Sequence, residues 1–255
     1  MIHLFLNDLY KKKFVFLWMI LSFKAGYLNA AGFLATGKFV SHVTGFGTQM
    51  GVSMAHEDYY FGAELLIIPL AFIFGSMIPA LILDRNYDDR KIPPYPAVQF
   101  LITMLLGVIF FLGTSGWFGD FSTPTDDLHD IILIGLLCLV CGMKNGLTTW
   151  ATYGKIRTTH LTGLATDIGL HLPKIFRGGI RSRFPEQRRV NTVRIATFVS
   201  FTVGSLVAAF IFPKYDFYGF IFPFILSVGL LAVSFVNYNE AKREHTVGDE
   251  KTKVA

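Results

Sequence analysis

Charge is scarce in this chain. Asp, Glu, Lys and Arg make up 16% of its 255 residues, against about 25% in an ordinary soluble domain. Cysteine is nearly absent. The two present, Cys138 and Cys141, form a single C-x-x-C inside an apolar run, so no disulfide framework follows and mid-membrane packing is the expected role. Familiar catalytic signatures are missing as well: no G-x-S-x-G, H-E-x-x-H, Walker A or G-x-G-x-x-G stands in a fitting context. No enzyme, resident cofactor, structural metal or self-contained ATP-driven pump is expected.

What fills the chain is apolar. Hydrophobic residues reach 52%, Phe alone numbers 26, and the mean hydropathy is +0.48. Six apolar runs stand out, at about Phe14–Thr36, Tyr60–Leu83, Tyr95–Gly113, Asp130–Ala151, Val190–Phe212 and Phe217–Val236. Each meets the roughly 20 residues a helix needs to cross a bilayer core, and a lone span in lipid must be helical. The expectation is an all-α, polytopic membrane protein. Lys11, Lys12 and Lys13 before Phe14 imitate a signal peptide, but the run continues past any cleavage site, which predicts an uncleaved first helix.

Two polar stretches inside this apolar chain are copies of one another. GYLNAAGFLATGKFVSHVTGFGTQMG (26–51) and GMKNGLTTWATYGKIRTTHLTGLATDIG (142–169) share Gly26/Gly142, Asn29/Asn145, Ala35/Ala151, Thr36/Thr152 and Gly37/Gly154. Lys38/Lys155, His42/His160, Thr44/Thr162, Gly45/Gly163, Thr48/Thr166 and Gly51/Gly169 complete the set. Paired glycine-interrupted polar segments in the two halves of a membrane chain point to a transporter's binding site. Gly37 and Gly154 fit helix ends. The H-x-T-G part that follows, about Phe39–Ala55 in the first copy, regains helical spacing but is too short and polar to span. A re-entrant half-helix is expected, with Thr44 and Thr162, or Ser41 and Thr159, capping its start.

Loop charges set the topology. If the polar copies do not cross, the chain has six spans. Inner loops then hold Arg85, Arg90 and Lys91, next the cluster Lys174, Arg177, Arg181, Arg183, Arg188 and Arg189, and last Lys242 and Arg243. Outer loops hold Glu57 and Asp58, then Asp120, Asp126 and Asp127, then Lys214. Eight spans would move Arg85, Arg90 and Lys91 outside, against the positive-inside rule. The organisation read from this is a cytoplasmic N-terminus (1–13), a first membrane repeat (14–113), an external acidic loop (114–129), a second membrane repeat (130–237) and a cytoplasmic tail (238–255). The second repeat carries the basic loop 171–189. Three spans per half orient the halves oppositely: six transmembrane helices as two three-helix inverted repeats, each with a short polar half-helix. The basic cluster lacks aromatic interleaving, which excludes nucleic acid as a partner and leaves the lipid bilayer.

The membrane-associated charges are mostly positive. Lys24, Lys38, Lys144 and Lys155, with His42 and His160, outnumber Glu64 and Asp167. A lysine at the bilayer centre costs about 2.5–3.5 kcal/mol on insertion scales, so it needs a partner or a purpose. One reading pairs Lys24 and Lys144 with Glu64 and Asp167. The other is a cationic, hydroxyl-lined cavity for a small anionic solute, formed by these groups with Asn29, Asn145, Thr44, Thr162, Gly45 and Gly163. Asn29 and Asn145 can also bond across a helix interface. His160, Asp167 and His171 lie along one helical face, but the first copy offers Gln49 and Ser53 instead, so proton coupling outranks metal binding.

On Gly26-x-x-Asn29, Phe39-x-x-His42-x-Thr44-Gly45, and Thr159-His160-Leu161-Thr162-Gly163 with Thr166-Asp167-x-Gly169, the chain resembles the YoaK-type integral membrane protein family of bacteria, a domain of unknown function. The second block follows that family's pattern closely. The first departs from it, with Asn29 where the family pattern has Asp and Phe46 where it has Asn. The resemblance implies a six-helix protein of the bacterial inner membrane. Taken with the repeats, the expected function is a secondary transporter or channel-like permease for a small anionic solute. The alternative is a non-transporting scaffold or sensor whose basic loop binds lipid or a partner. Gly204-x-x-x-Ala208 and Ala71-x-x-x-Gly75 offer close-packing surfaces for a homodimer.

Overall fold

A computed structural model describes residues 12–56, 65–84, 92–121, 128–154, 156, 158–177 and 185–254. Among them there is no strand. The helices are α1 (Lys12–Thr36), α2 (Val43–Ala55), α3 (Ile67–Asp84), α4 (Tyr95–Thr114) and α5 (Leu128–Thr152). They continue with α6 (Leu161–Arg177), α7 (Pro185–Tyr215) and α8 (Ile221–Val254), the last two joined by a 3-10 turn at Asp216–Phe220. Stretches long and apolar enough to cross a membrane are Phe14–Thr36, Ile67–Asp84, Tyr95–Thr114, Leu128–Thr152 and Arg188–Arg243. The last, at 56 residues, covers most of α7 and of α8, far more than the roughly 20 that one crossing needs.

Burial is arranged for lipid. Large apolar side chains such as Phe16, Ile73, Leu81, Phe111, Phe210 and Ile225 are exposed on the outside, while Lys24, Asn29, Gln99, Lys144, Asn145 and Ser227 are buried. Exposed apolar surface on this scale marks a membrane-embedded face, and polar groups then turn toward the bundle interior. The chain is a multi-pass helical protein.

Two tight helix pairs build the bundle: α1 against α7, and α3 against α5. Trp18 clusters with Val193 near the helix starts, and Tyr27 meets Phe212 further on, so α1 and α7 run parallel. Gly135 meets Ile67 and Gly146 meets Ser76 and Pro79, so α3 and α5 are parallel too. Gly32 lies by Leu137, while Lys24 interacts electrostatically with Cys141 and Lys144; the two pairs are therefore antiparallel. Contacts of α4 with α8 close the bundle. Gln99 and Thr103 bond Ser227, and Gly107 touches Phe224.

Both tight pairs use the same device. A Cβ at Gly26 would lie 1.9 Å from Phe201 O, and one at Gly142 would lie 2.2 Å from Phe72 O. From the facing helices, Gly204 presses on the Phe23 backbone and Gly75 on the Leu139 backbone. Backbones this close require glycine. Each contact is sealed by a serine: Ser205 Oγ donates to Gly26 O at 3.0 Å, and Ser76 Oγ donates to Gly142 O at 3.1 Å. Phe72-x-x-Gly75-Ser76 and Phe201-x-x-Gly204-Ser205 are thus a second duplicated motif. Gly75 and Gly204 are occupied within the chain, and Ala208 is fully buried, so the small-residue surfaces expected to serve a homodimer are already spent on intrachain packing.

Candidate functional site

The first part of each copy forms the end of a long helix. Thr36 and Thr152 close α1 and α5, their Oγ1 groups donating back to Gly32 O and Thr148 O. Each then accepts an N–H from the following link, Lys38 N for Thr36 and Ile156 N for Thr152. Gly37 and Gly154 follow with φ of 69° and 73°, the left-handed helix ends expected of them.

Asn29 and Asn145 do not bond across the helix interface. Each instead holds its own link. Asn29 Oδ1 accepts from Ser41 N and Ser41 Oγ, at 3.1 and 2.8 Å, and Asn145 Nδ2 donates to Thr159 Oγ1. The two link residues directly precede His42 and His160, so both asparagines act at the same position of the duplicated segment. In the first copy this also overturns the expected cap. The residue before α2 is His42, which makes no side-chain cap bond, and Ser41 is engaged by Asn29 instead.

The half-helices leave the bundle at opposite ends of α5. Before α2 the chain folds back, placing Val40 against Gly32, and α3 starts beside Gly135, near the start of α5. Past the other end of α5, Ile156 packs on Trp18 of α1 and Val193 of α7. Neither segment carries the chain across the bundle. At 13 residues, α2 measures about 20 Å, short of the ~30 Å hydrocarbon core. Its side chains are mostly exposed, with Phe46 the buried exception among them.

The expected site residues therefore divide into two groups. His42, Thr44, Gly45, His160, Thr162 and Gly163 are exposed, and Lys38 and Asp167 are half-buried. The ring of His42 lies against Phe39. Lys155 and Glu64 fall outside the described residues. Asp167 does not neutralise a membrane lysine: Arg194 Nη2 of α7 binds its carboxylate at 3.0 Å, and Arg194 Nη1 also reaches His171 Nδ1 at 3.3 Å. Among the described residues no group of three His, Cys, Asp or Glu has a metal-holding arrangement.

Lys24 and Lys144 form the second group. Both are buried, at 1% and 2% exposure; each interacts electrostatically with Cys141, and Lys24 also feels the charge of Lys144. Lys24 Nζ donates to Ser227 Oγ at 2.9 Å. Ser227 Oγ also accepts from Gln99 Nε2 at 2.9 Å and meets Thr103 Oγ1 at 3.0 Å, while Thr103 Oγ1 donates to Gln99 O. Lys144 Nζ has no hydrogen-bond partner. Gln99, Thr103 and Ser227 were not legible as site residues, because isolated polar residues in apolar runs carry no pattern.

A family model described as "Protein of unknown function (DUF1275)" matches residues 17–235. The chain belongs to the DUF1275 family. The match covers both copies of the duplicated segment and agrees with the resemblance carried by Thr159–Gly169. No curated protein and no solved structure matches the chain. For this DUF1275 member the functional reading accordingly rests on its own geometry.

Proposed function

We propose that this DUF1275 protein is a secondary carrier or channel-like permease for a small anionic solute. In this reading it has six spans, arranged as two three-helix repeats of opposite orientation. The carrying observation is the pair Lys24 and Lys144, one from each half, both buried in the bundle and near enough for Lys24 to feel the charge of Lys144, with Lys144 Nζ unpartnered. Removing a lysine's charge from water without a counter-ion is costly, and a bound anion would supply the missing partner. The antiparallel setting of α1 and α5, with α2 and α6 rooted at opposite ends, supports the inverted arrangement that alternating access uses. The loop charges favour cytoplasmic termini, and the family resemblance implies a bacterial inner membrane.

Two measurements test it. Single cysteines at Ser53 and His171 should react with impermeant reagent from opposite sides of the membrane; labelling from one side only would remove the inverted topology. Liposomes holding the protein should take up a small organic anion faster than protein-free ones, with Lys24→Met and Lys144→Met abolishing the difference. Uptake unaltered by both substitutions would refute the site. The exposure of α2 and α6 favours a second reading, a scaffold binding lipid or a partner, for which no solute flux is expected.

A further inference from the structure

Four helices, α1, α4, α5 and α8, wall a half-open cavity of about 180 Å³ at the end of the bundle where α6 is rooted. At its foot α1 and α8 meet: Lys24 bonds Ser227, and Tyr27 packs on Phe222. Toward the start of α1 and the far end of α8 the cavity separates the two helices. Phe14, Leu17 and Trp18 line one side, and Leu230, Val233 and Tyr238 the other. Of the seams joining the four walls, the one between α1 and α8 is the most sparsely packed, and Val233 on its edge is 54% exposed. The opening is thus a cleft between two lipid-facing helices. We infer that this cleft seats an acyl chain of an anionic phospholipid from the adjoining leaflet, with its headgroup at the rim formed by α1 and α8. The inference is independent of the carrier reading, because it makes no use of the charges of Lys24 and Lys144.

Depth, wall and charge each contribute. The lining of α8 runs from Leu230 to Tyr238, about 12 Å of helix at 1.5 Å per residue. Half of the ~30 Å hydrocarbon core is about 15 Å, so a chain lying along the cleft stays within one leaflet. The wall surface is overwhelmingly apolar. Its deep polar residues serve partners of their own: Gln99 Nε2 donates to Ser227 Oγ and Thr148 Oγ1 to Lys144 O, while Lys144 Nζ is sealed from the surface. Tyr95, Asn237 and Tyr238 line the cleft nearer the end of the bundle, at the level where tyrosines meet the membrane boundary. One turn beyond Tyr238, Lys242 stands on the same face of α8 by its spacing of four, and both Lys242 and Arg243 are exposed. On α1, Lys12 and Lys13 come directly before Phe14. Apolar depth, polar neck and cationic rim repeat the order of chain, ester and phosphate in a phospholipid, and basic segments at a membrane surface favour anionic headgroups.

The test uses the full chain with Trp18 as its only tryptophan (Trp117→Phe, Trp150→Phe), in phosphatidylcholine bilayers doped with lipid brominated on its acyl chains, which quenches tryptophan on contact. Brominated phosphatidylglycerol should quench Trp18 saturably at low mole fraction, and brominated phosphatidylcholine only in proportion to its share of the bilayer. Ala151→Phe, which fills the cleft from α5, should remove the excess quenching. Lys242→Gln with Arg243→Gln should weaken the phosphatidylglycerol preference by about fivefold or more, the worth of at least one cation near a membrane surface. A chain keeping only Trp117, past the opposite end of α4, should show no excess, and this comparison keeps the test decisive if Ala151→Phe fails to fold. Equal excess at Trp18 and Trp117, or an excess at Trp18 that survives Ala151→Phe, overturns the inference. Equal quenching by the two brominated lipids, or an unchanged preference in the rim variant, does so as well. So does a brominated fatty acid that displaces the phospholipid, which would mark a site for a free carboxylate.

Discussion

Replacing Gly26 or Gly142 by alanine probes the closest approaches in the bundle. The new methyl at Gly26 would sit 1.9 Å from Phe201 O and 2.8 Å from its carbon, where ordinary contact begins at 3.4 Å. The obstacle is backbone, so α1 and α7 must part by on the order of 1 Å or more. Parting also stretches the 3.0 Å bond from Ser205 Oγ to Gly26 O. Overpacking costs about 1–3 kcal/mol and the weakened hydrogen bond about 1 kcal/mol, while alanine's helix propensity returns up to about 1 kcal/mol. A net loss of about 1–3 kcal/mol is expected for Gly26→Ala, and the same for Gly142→Ala, whose methyl would meet Phe72 O at 2.2 Å. Gly45→Ala is the control, because nothing lies within 4 Å of its added carbon. It should be neutral or slightly stabilising. Thermal unfolding in detergent, followed by helical circular dichroism, reads all three. A Gly26→Ala midpoint equal to wild type, or a Gly45→Ala loss as large as that of Gly26→Ala, would refute the division of each copy into a packed first part and an open second part.

Lys144→Met, without ligand, should raise the unfolding midpoint. It removes an unpartnered buried charge whose insertion cost is about 2.5–3.5 kcal/mol, and a loss of stability would mean that the ammonium is satisfied. Ser76→Ala and Ser205→Ala should destabilise equally, by about 1 kcal/mol each; a difference as large as the effect itself would deny that the two contacts are equivalent. Asn29→Ala strips Ser41 N–H and Oγ of their acceptor, at about 1–3 kcal/mol. It should speed modification of a cysteine placed at Ser53, as Asn145→Ala should for one at His171, and unchanged rates would show that the links hold without their asparagines.

Helix positions were legible wherever apolar length decides them. The runs Tyr95–Gly113 and Asp130–Ala151 appear as Tyr95–Thr114 and Leu128–Thr152, since lipid leaves a backbone no other partner. Gly37 and Gly154 read correctly as helix ends. The run Val190–Phe212 understated its helix, which begins at Pro185, and α8 continues to Val254, far past Val236. Apolar character ends at the membrane boundary, but a helix of polar residues need not. The site was half legible. Duplication exposed the asparagines, and charge inside an apolar run exposed Lys24 and Lys144, yet the asparagines' partners are residues of their own links, and spacing alone does not distinguish that bond from one across an interface. Phe-x-x-Gly-Ser escaped notice because its residues are common in apolar runs; a comparison at the spacing between Gly75 and Gly204 would have found it. The Arg194–Asp167 pair joins two helices whose relative placement no sequence pattern encodes.

The crossed pairing of helices dictates how this protein can come into being. During synthesis α1 emerges first, but the helix that fits its glycine face, α7, begins only at Pro185. Similarly α3 waits for α5. Each half thus carries two unfinished seams until the other arrives. The nascent chain leaves the ribosome with its most intimate surfaces unmated, facing lipid until the partner helices are inserted.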